Sequence, residues 1–452
     1  MSFVLFKGIF MRHFVFLLLI TSFYNQADEY HYKNLLVGTK AIGLGGAFTA
    51  ISDDLSAVFY NPAGLTFAST ANSASISTFA LEKTKFKDVF STGEDLSRSS
   101  FSIVPSFLGA GGKYKDYSWS FAFAVPDLSS ERTFSAIDYT IPNEFGGSTK
   151  VTEFAHIYMD NTTYKLGLAG AAKLTENLSL GLSFVAKYNE VITSQGSGVS
   201  YDINIDNSIL TSGFQASRRN QDNNLILSPA IGLLLNHDIV DLGMSVKKDI
   251  AVSRELTATH TIVVNSATPL PPGVTTSAVG TIVDNNVQRY PTLVSIGFAK
   301  TFNKFQLSFD VDSYLPIDII EHNINSFHPP TTREYKSIKN YSLGLSYQDK
   351  LGSTYRLGVF TDNANISIDT EKPYQRAEAI DLIGVSFSIN TELFEYPISF
   401  GGYFKYGSGK VRVADIRVIE NIVGLPLYPN TNNFDISEGE KRSFVTYISA
   451  NF

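Results

Sequence analysis

Cysteine is absent from this chain of 452 residues, and charged residues make up only 17% of it. Without cysteine there are no disulfides, thiolate zinc sites, iron–sulfur clusters or cysteine nucleophiles. Beyond the N-terminal segment, no apolar run approaches the roughly 20 residues that a transmembrane helix needs. A net charge of −7 leaves no basic footprint for nucleic acid. Among the classes that remain, 34 Phe and 23 Tyr favour amphipathic β-structure.

The N-terminus has the pattern of an export signal. Lys7 and Arg12 precede an apolar run at 14–20, and cleavage is expected after Ala27. Translation can begin at Met1 or at Met11, and the sequence leaves both open. As a single membrane anchor the apolar run is too short to span comfortably. We therefore predict that residues 1–27 are a signal peptide and that the mature chain leaves the cytoplasm.

Hydrophobicity alternates along most of the remaining chain. From Leu178 to Tyr188 every second residue is apolar, and most of the residues between them are Ser, Gly or Lys. A period of two is the signature of a strand with one apolar face. This pattern predicts about fourteen strands, at 69–84, 98–114, 117–126, 160–174, 177–191, 223–236, 239–252, 290–302, 305–314, 337–348, 353–361, 378–390, 396–410 and 441–452.

The lengths of the predicted connections alternate as well. Those after even-numbered strands contain about two to five residues, and those after odd-numbered strands contain about 13 to 37. Short periplasmic turns and long extracellular loops are typical of transmembrane β-barrels. An even number of strands also closes a barrel without exposed edges. We therefore predict an all-β fold in which residues 69–452 form an antiparallel transmembrane β-barrel.

The last residue, Phe452, is aromatic and continues the alternate positions of the final strand. Outer-membrane barrels commonly end in this way for recognition by the barrel assembly machinery, which we expect to be a partner. Two basic pairs, Lys247-Lys248 and Arg218-Arg219, lie near strand ends or in predicted loops. Either they contact lipopolysaccharide phosphates or they only meet solvent. The predicted location is the outer membrane of a Gram-negative cell.

Residues 28–68 lack the periodicity of strands. Gly and small residues dominate positions 38–50, and residues 51–60 suggest a short helix capped by Ser52 or Asp53. The sequence Asn61-Pro62-Ala63 then ends that helix. A barrel of about fourteen strands needs a plug unless it is an open channel. We therefore predict that residues 28–68 form an N-terminal hatch inside the lumen.

Three motifs of this segment resemble the hatch of the FadL-type outer-membrane transporters of long-chain fatty acids and other hydrophobic compounds. They are the Gly-rich run from Gly43 to Phe48, the acidic pair Asp53-Asp54, and Asn61-Pro62-Ala63. Members of that family have a fourteen-stranded barrel with an N-terminal plug, so the resemblance covers essentially the whole mature chain. It implies a monomeric, passive transporter of hydrophobic small molecules.

The resemblance also implies a route. A ligand is caught in a groove between extracellular loops, passes to a lumenal pocket, and leaves through a lateral opening after the hatch rearranges. The implied gating residues are Gly45, Gly46, Phe48, Asn61, Pro62 and Ala63. By position, the groove is expected at Ile209, Leu210, Phe214, Leu256 and Ile262. The lateral opening is expected at Val125 and Pro126, although Pro126 could equally just end a strand.

Residues that carry catalysis are not found in a recognisable arrangement. The seven His are scattered, and neither a His-Glu-x-x-His nor a Gly-x-Ser-x-Gly motif occurs. Asp310 and Asp312 share a strand face, where lumen-facing carboxylates are a simpler account than a cation site. We predict no enzyme activity, no cofactor and no metal. The alternatives left open are a polar-solute porin and a barrel whose long loops bind protein partners, as in a secretion shuttle or an adhesin.

Overall fold

The computed structural model describes residues 30–33, 36–68, 73–87, 95–104, 107–142, 147–205, 208–265, 277–287, 289–321, 331–368, 377–393, 396–412 and 436–451. The predicted signal peptide, Phe452 and the predicted barrel residues 69–72 lie outside these ranges. One α-helix, α1 (Thr39–Gly43), and two 3₁₀ helices, Leu55–Phe59 and Pro62–Thr66, precede the strands. Among the described residues, no helix combines the length and apolarity needed to cross a membrane.

Nineteen strands follow in the described residues. They are β1 (Ser73–Phe86), β2 (Leu96–Val104), β3 (Phe107–Tyr114), β4 (Tyr117–Pro142), β5 (Ser148–Lys173), β6 (Leu178–Ile205), β7 (Ser208–Leu235), β8 (Asp241–Asn265), β9 (Ser277–Asp284), β10 (Arg289–Phe302), β11 (Phe305–Tyr314), β12 (Ile317–Glu321), β13 (Thr331–Tyr335), β14 (Ile338–Gln348), β15 (Thr354–Asp362), β16 (Ala377–Ile380), β17 (Leu382–Leu393), β18 (Tyr396–Arg412) and β19 (Ser437–Asn451).

The antiparallel pairings form a closed ring. Three spans are interrupted and consist of two strands each, namely β2 with β3, β9 with β10, and β16 with β17. Within the described residues, β12 pairs only with β13, outside the ring. The pairings then pass from β1 through fourteen spans to β19, which pairs back to β1 with Leu81 opposite Phe444. The predicted β-barrel of about fourteen strands is therefore confirmed.

The barrel is apolar outside and polar inside. Along β14, Tyr341, Leu343 and Leu345 are exposed, whereas the residues between them, including Asn340 and Ser342, are buried. A soluble barrel has the opposite arrangement, because its apolar side chains leave water for the interior. An apolar outer surface with a polar lumen is the arrangement that a lipid environment stabilises.

Five strands, β4 to β8, are much longer than a membrane requires. They contain 25 to 28 residues each, whereas a tilted strand crosses the bilayer in about 9–11. The expectation that residues such as 127–159 and 192–222 form loops is therefore wrong, because most of them extend these strands. Beyond the membrane both faces of a hairpin meet water, so pairing can continue without the apolar alternation on which the prediction depended.

Candidate functional site

Residues 36–68, here called the hatch segment, contact strands on every side of the ring. The segment begins with α1, after which the chain reverses at Gly45 and Gly46, whose φ angles are +63° and +85°. Residues with a Cβ rarely adopt such angles. Gly45 also lies against the barrel wall, since a Cβ on Gly358 of β15 would stand 2.4 Å from the Gly45 nitrogen. Glycine is thus required on both sides of this contact.

Asp310 of β11 holds the residues that follow this turn. Its Oδ2 accepts hydrogen bonds from the backbone N–H groups of Phe48 at 2.8 Å and Thr49 at 2.7 Å. The side chain is almost fully buried, and hydrogen bonds to a buried carboxylate are stronger than those between neutral groups. Phe48 packs edge-on against Tyr60, with ring centroids 5.5 Å apart. Asp310 therefore anchors the hatch segment to the wall, a role that the sequence did not reveal.

Asn61 connects three parts of the structure. Its Nδ2 donates to the carbonyl oxygens of Thr49 and of Leu233 on β7, both at 2.9 Å. Its Oδ1 accepts from the Ala63 N–H at 3.2 Å and so caps the second 3₁₀ helix, which begins at Pro62. Proline suits this first position because its missing N–H would have no partner there. The Asn-Pro-Ala sequence thus forms a buried capped turn that is fastened to the barrel.

The first 3₁₀ helix is capped by Asp54, so the expectation of Ser52 or Asp53 is wrong. Asp54 Oδ1 accepts from the backbone N–H of Ser56 at 2.8 Å and from its hydroxyl at 2.5 Å. Burial raises the pKa of the Asp54 carboxyl, and the bonds from Ser56 oppose that shift only in part. Asp53 instead pairs with Lys40 at 2.6 Å, and Ser52 donates back to the Phe48 carbonyl. Of the acidic pair, Asp54 therefore caps a helix and Asp53 forms an ion pair.

Glycines on the inner face of the barrel allow the hatch segment to touch the strand backbones. A Cβ on Gly232 would stand 2.0 Å from Asn61 Oδ1, and one on Gly181 would stand 2.3 Å from the Ala63 nitrogen. Contacts this short do not occur with a real Cβ, so any side chain would displace the segment. Gly243, Gly297 and Gly358 approach the backbone of the segment in the same way, whereas Gly167 and Gly344 meet only side chains of the segment, those of Val58 and Leu44 at 2.9 Å. The sequence shows these glycines at alternate strand positions but not what they face.

A cavity of about 100 Å³, here called the lumenal cavity, lies between the hatch segment and the wall. The strand residues that line the cavity lie farther from the short turns of the barrel than the strand residues that touch the hatch segment. On β8, for example, Lys247 lines the cavity, whereas Gly243, which is nearer the β7–β8 turn, meets Thr49. The lining is mixed. Its apolar members are Leu36, Val37, Phe59, Val185 and Leu293, its aromatic hydroxyls are Tyr32, Tyr60 and Tyr314, and its charged members are Lys33, Lys165, Lys187, Lys247 and Asp312. Burial raises the pKa of Tyr32 to about 12, so its phenol is neutral at physiological pH.

The residues predicted for a lateral opening lie at an irregularity in the wall. Ala124 pairs with Lys165 and Asp127 pairs with Thr163. Two residues of β4, Val125 and Pro126, thus lie opposite a single residue of β5, which makes this a β-bulge. On the other side of β4, the described pairing ends at Ala124, opposite Phe107, the first residue of β3. The preceding strand, β2, pairs with β1 in the described residues. Pro126 therefore does not end β4, which continues to Pro142, and it lies at this bulge, just beyond the last pair that the described residues of β3 and β4 form.

The residues predicted for a loop groove are strand residues in the structure. Ile209 pairs with Asn204 near the tip of the β6–β7 hairpin, whereas Leu256 of β8 lies opposite Asp222 on β7. From residue 209 to residue 222 a strand extends roughly 40 Å. Leu210 and Phe214 follow Ile209 on β7, and Ile262 lies opposite Ala216. A single small ligand cannot contact both ends of this set.

Comparison with known proteins agrees with this architecture. Neither a family model nor a curated protein matches the sequence. Among solved structures, a Pseudomonas aeruginosa FadL homologue is similar with a TM-score of 0.58 and 14% sequence identity, over 94% of this chain and 99% of the homologue.

Two further structures are similar in the same way. The Pseudomonas putida toluene transporter TodX has a TM-score of 0.54 at 13% identity, over 92% of this chain and 99% of its own. For the Ralstonia pickettii toluene transporter TbuX the TM-score is 0.51 at 12% identity, over 91% of this chain and 98% of its own. At such low identity the similarity is one of fold, and it extends over nearly the whole of each protein. This chain therefore has the FadL-type β-barrel fold.

Proposed function

We propose that this protein is a passive outer-membrane transporter of hydrophobic small molecules, with long-chain fatty acids among the candidate substrates. The observation that carries the proposal is a cavity beside the hatch segment whose apolar side continues to the β-bulge of the wall at Val125 and Pro126. Structures of the same fold include a FadL homologue and toluene transporters, which supports a hydrophobic substrate. Export through the N-terminal signal, insertion by the barrel assembly machinery as a monomer, and contact with lipid and lipopolysaccharide belong to the same proposal.

The path from the cavity to the wall is apolar. Val37 and Val185 line the cavity and also belong to a buried cluster with Phe107 and Ala124. Phe59 lines the cavity as well and packs edge-on against Phe107, with ring centroids 6.3 Å apart. Phe107 and Ala124 are the last pair before the bulge. A ligand that followed this path would stay on apolar surface, where burial contributes about 25 cal/mol per Å².

Lateral exit requires the hatch segment to move, because Val58 and Phe59 pack into the buried cluster that lines the apolar path. The gating residues proposed from the sequence lie in or beside the turns of the hatch segment, which supports a role in such a movement. Gly45 and Gly46 form the turn, Phe48 follows it, and Asn61 begins the capped turn at Pro62 and Ala63. The anchors at Asp310 and Asn61 are hydrogen bonds, each contributing about 1 kcal/mol net or somewhat more. A ligand with several kcal/mol of burial energy could therefore offset one of them.

The test uses the absence of native cysteine. Leu44 Cβ lies 2.9 Å from where a Cβ on Gly344 would stand, so a small shift gives the roughly 3.8 Å of a disulfide. The double variant Leu44→Cys/Gly344→Cys is expressed in a Gram-negative host that lacks its own long-chain fatty-acid transporter, and labelled oleate uptake is measured. Wild type should restore uptake. The double variant should lose it after oxidation and recover it after reduction, whereas both single variants should be insensitive to redox state.

The outcomes separate the parts of the proposal. Unchanged uptake by the oxidised double variant would show that the hatch need not move. No uptake by a surface-inserted wild type, with either oleate or toluene as substrate, would refute hydrophobic transport.

A protein-binding role is the second candidate, and the long hairpins of β4 to β8 favour it. Their outer halves extend beyond what membrane crossing requires and offer a large polar surface. Deleting residues 194–219, the outer part of the β6–β7 hairpin, distinguishes the two roles. Transport should survive this deletion, since the lumenal cavity is lined by residues nearer the membrane, whereas binding to a protein partner should be lost.

A further inference from the structure

Two cations lie side by side on the outer surface of the barrel. Lys83 of β1 and Arg442 of β19 are directly opposite each other at the seam that closes the ring, and both side chains are exposed. Like charges in directly opposite positions destabilise an antiparallel sheet, whereas opposite charges stabilise it. An anion that lay between the two side chains would therefore stabilise this part of the wall.

The cations next to this pair along β1 have carboxylate partners of their own. Lys85 Nζ lies 2.5 Å from Asp95 Oδ2, and Lys87 Nζ lies 3.0 Å from Glu440 Oε1. Both lysines are thus neutralised within the protein. The carboxylates that could have balanced Lys83 are engaged elsewhere.

Lys83 and Arg442 lack a comparable partner. Among the described residues, Lys83 forms no hydrogen bond and no ion pair. Arg442 reaches Glu440 only at 3.5 Å, and its guanidinium group lies over the ring of Tyr406 at 5.5 Å from the centroid. The positive charge of the pair therefore remains largely unbalanced.

The height of the pair along the barrel is that of the outer membrane boundary. The short turns mark the periplasmic end, where Ser73 pairs with Asn451. Lys83 lies ten residues beyond Ser73, and a tilted strand crosses the bilayer in about 9–11 residues. Tyr406 of β18, directly opposite Arg442, agrees with this height, because Tyr is enriched at membrane–water interfaces. The two cations therefore face the headgroups of the outer leaflet.

An apolar row lies one step closer to the membrane centre. Leu81, Phe444 and Phe404 are opposite one another on β1, β19 and β18, and all three side chains are exposed. An amphiphile beside this face would place its acyl chains on the apolar row and its headgroup beside Lys83 and Arg442. The arrangement therefore fits a lipid with an anionic headgroup.

Carboxylates occupy a similar height across the ring. Glu190 of β6 and Glu255 of β8 lie on either side of Asn223 of β7 in one cross-strand row. This row begins two residues beyond Tyr188, an exposed aromatic residue of β6. Its negative charge repels an anionic headgroup. The charge distribution around the barrel therefore directs such a headgroup to the seam between β19 and β1.

We propose that Lys83 and Arg442 bind a phosphate of an outer-leaflet glycolipid whose acyl chains lie against Leu81, Phe404 and Phe444. The ligand class is a phosphorylated, multiply acylated lipid of the lipid A type. Arg binds phosphate through two parallel hydrogen bonds and Lys acts as a point charge, so one phosphate can bridge both side chains. The inference rests on the outer-membrane location in the proposed function. It does not depend on transport, because the site lies outside the lumen.

The experiment compares lipid A that carries both its phosphates with the same lipid after their removal. Binding of each to the full chain in detergent is measured by native mass spectrometry. Wild type should bind the phosphorylated form at least about tenfold more tightly, which corresponds to about 1.4 kcal/mol. Lys83→Gln/Arg442→Gln should lose that preference, whereas its binding of the dephosphorylated lipid and its heat-dependent gel mobility should match those of wild type.

The matched control removes the same charge elsewhere. Lys304 and Lys350 are exposed in the short turns that follow β10 and β14, far from the outer leaflet. Lys304→Gln/Lys350→Gln should therefore keep the wild-type preference for the phosphorylated lipid. Inorganic phosphate should displace this lipid from wild type only weakly, since a free ion gains nothing from the apolar row.

Three results would overturn the inference. They are equal binding of both lipids by wild type, a phosphate preference that persists in Lys83→Gln/Arg442→Gln, and complete displacement of the lipid by inorganic phosphate. Each would leave hydrophobic transport standing, because transport is measured separately as oleate uptake. That uptake should be the same in Lys83→Gln/Arg442→Gln and in wild type.

Discussion

Removing the Asp310 carboxylate should loosen the hatch segment without affecting the barrel. Asp310→Ala leaves the N–H groups of Phe48 and Thr49 without acceptors in a buried environment. An unsatisfied buried donor costs about 1–3 kcal/mol, so the two together weaken this anchor by about 2–6 kcal/mol. Asp310→Asn retains an acceptor oxygen but loses the charge, and should have about half that effect.

Hydrogen–deuterium exchange at residues 48–49 measures this directly. Each 1.4 kcal/mol is a factor of ten in an equilibrium constant, so exchange at these amides should accelerate at least about 30-fold in Asp310→Ala. Strand amides in β14 and β15 should be unchanged, and so should the heat-dependent gel mobility of the folded barrel. Liposomes that contain the variant should also admit small sugars faster, since the hatch segment then occupies the lumen less tightly.

Ser308→Ala is the matched control for this anchor. Ser308 is a buried residue on the same strand face, and its hydroxyl donates to the Gly344 carbonyl of the wall, not to the hatch segment. It should leave exchange at residues 48–49 at the wild-type rate. If Asp310→Ala also left that rate unchanged, the carboxylate would not be what holds the hatch segment in place.

Three further changes probe other contacts of the hatch segment. Gly232→Ala should displace the Asn61 turn and speed the exchange of its amides. Gly170→Ala should not, because a Cβ there would lie 3.9 Å from its nearest neighbour. Equal exchange rates in the two variants would contradict the close approach of Gly232 to Asn61. Asn61→Ala should reduce oleate uptake while leaving barrel assembly intact, as judged by heat-dependent gel mobility; a loss of that mobility shift would point to misassembly instead. Because burial raises the pKa of Asp54, the folded hatch segment favours the protonated carboxyl. This contribution to stability is fully present below the ordinary pKa of 3.8 and is lost as pH rises through the raised pKa. Asp54→Asn, which can still cap, should therefore flatten the pH dependence of exchange at residues 55–59, whereas Asp54→Ala should speed that exchange at every pH; an unchanged pH profile in Asp54→Asn would argue against this titration.

The membrane-spanning parts of the strands could be predicted because their two faces meet different surroundings. At β14, lipid outside and polar side chains inside impose the alternation of Tyr341, Leu343 and Leu345 with Asn340 and Ser342. The absence of strands from residues 36–68 was predictable, since Gly45, Gly46 and the capped turn at Asn61 are local backbone requirements. The outer halves of β4 to β8 were not predicted as strands, because water on both faces imposes no alternation of apolar and polar residues.

The sequence by itself therefore determined the barrel, the number of its spans, and the stretch before them that forms no strand, because period, turn length and backbone preference are local properties. Tertiary structure alone decided which side chains meet inside. Asp310 reaches Phe48 across 262 positions of sequence, and the lumenal cavity joins Lys33 to Lys247 and Asp312. Such contacts depend on closure of the ring and on the register of every strand between them. A local sequence pattern contains no information about closure or register.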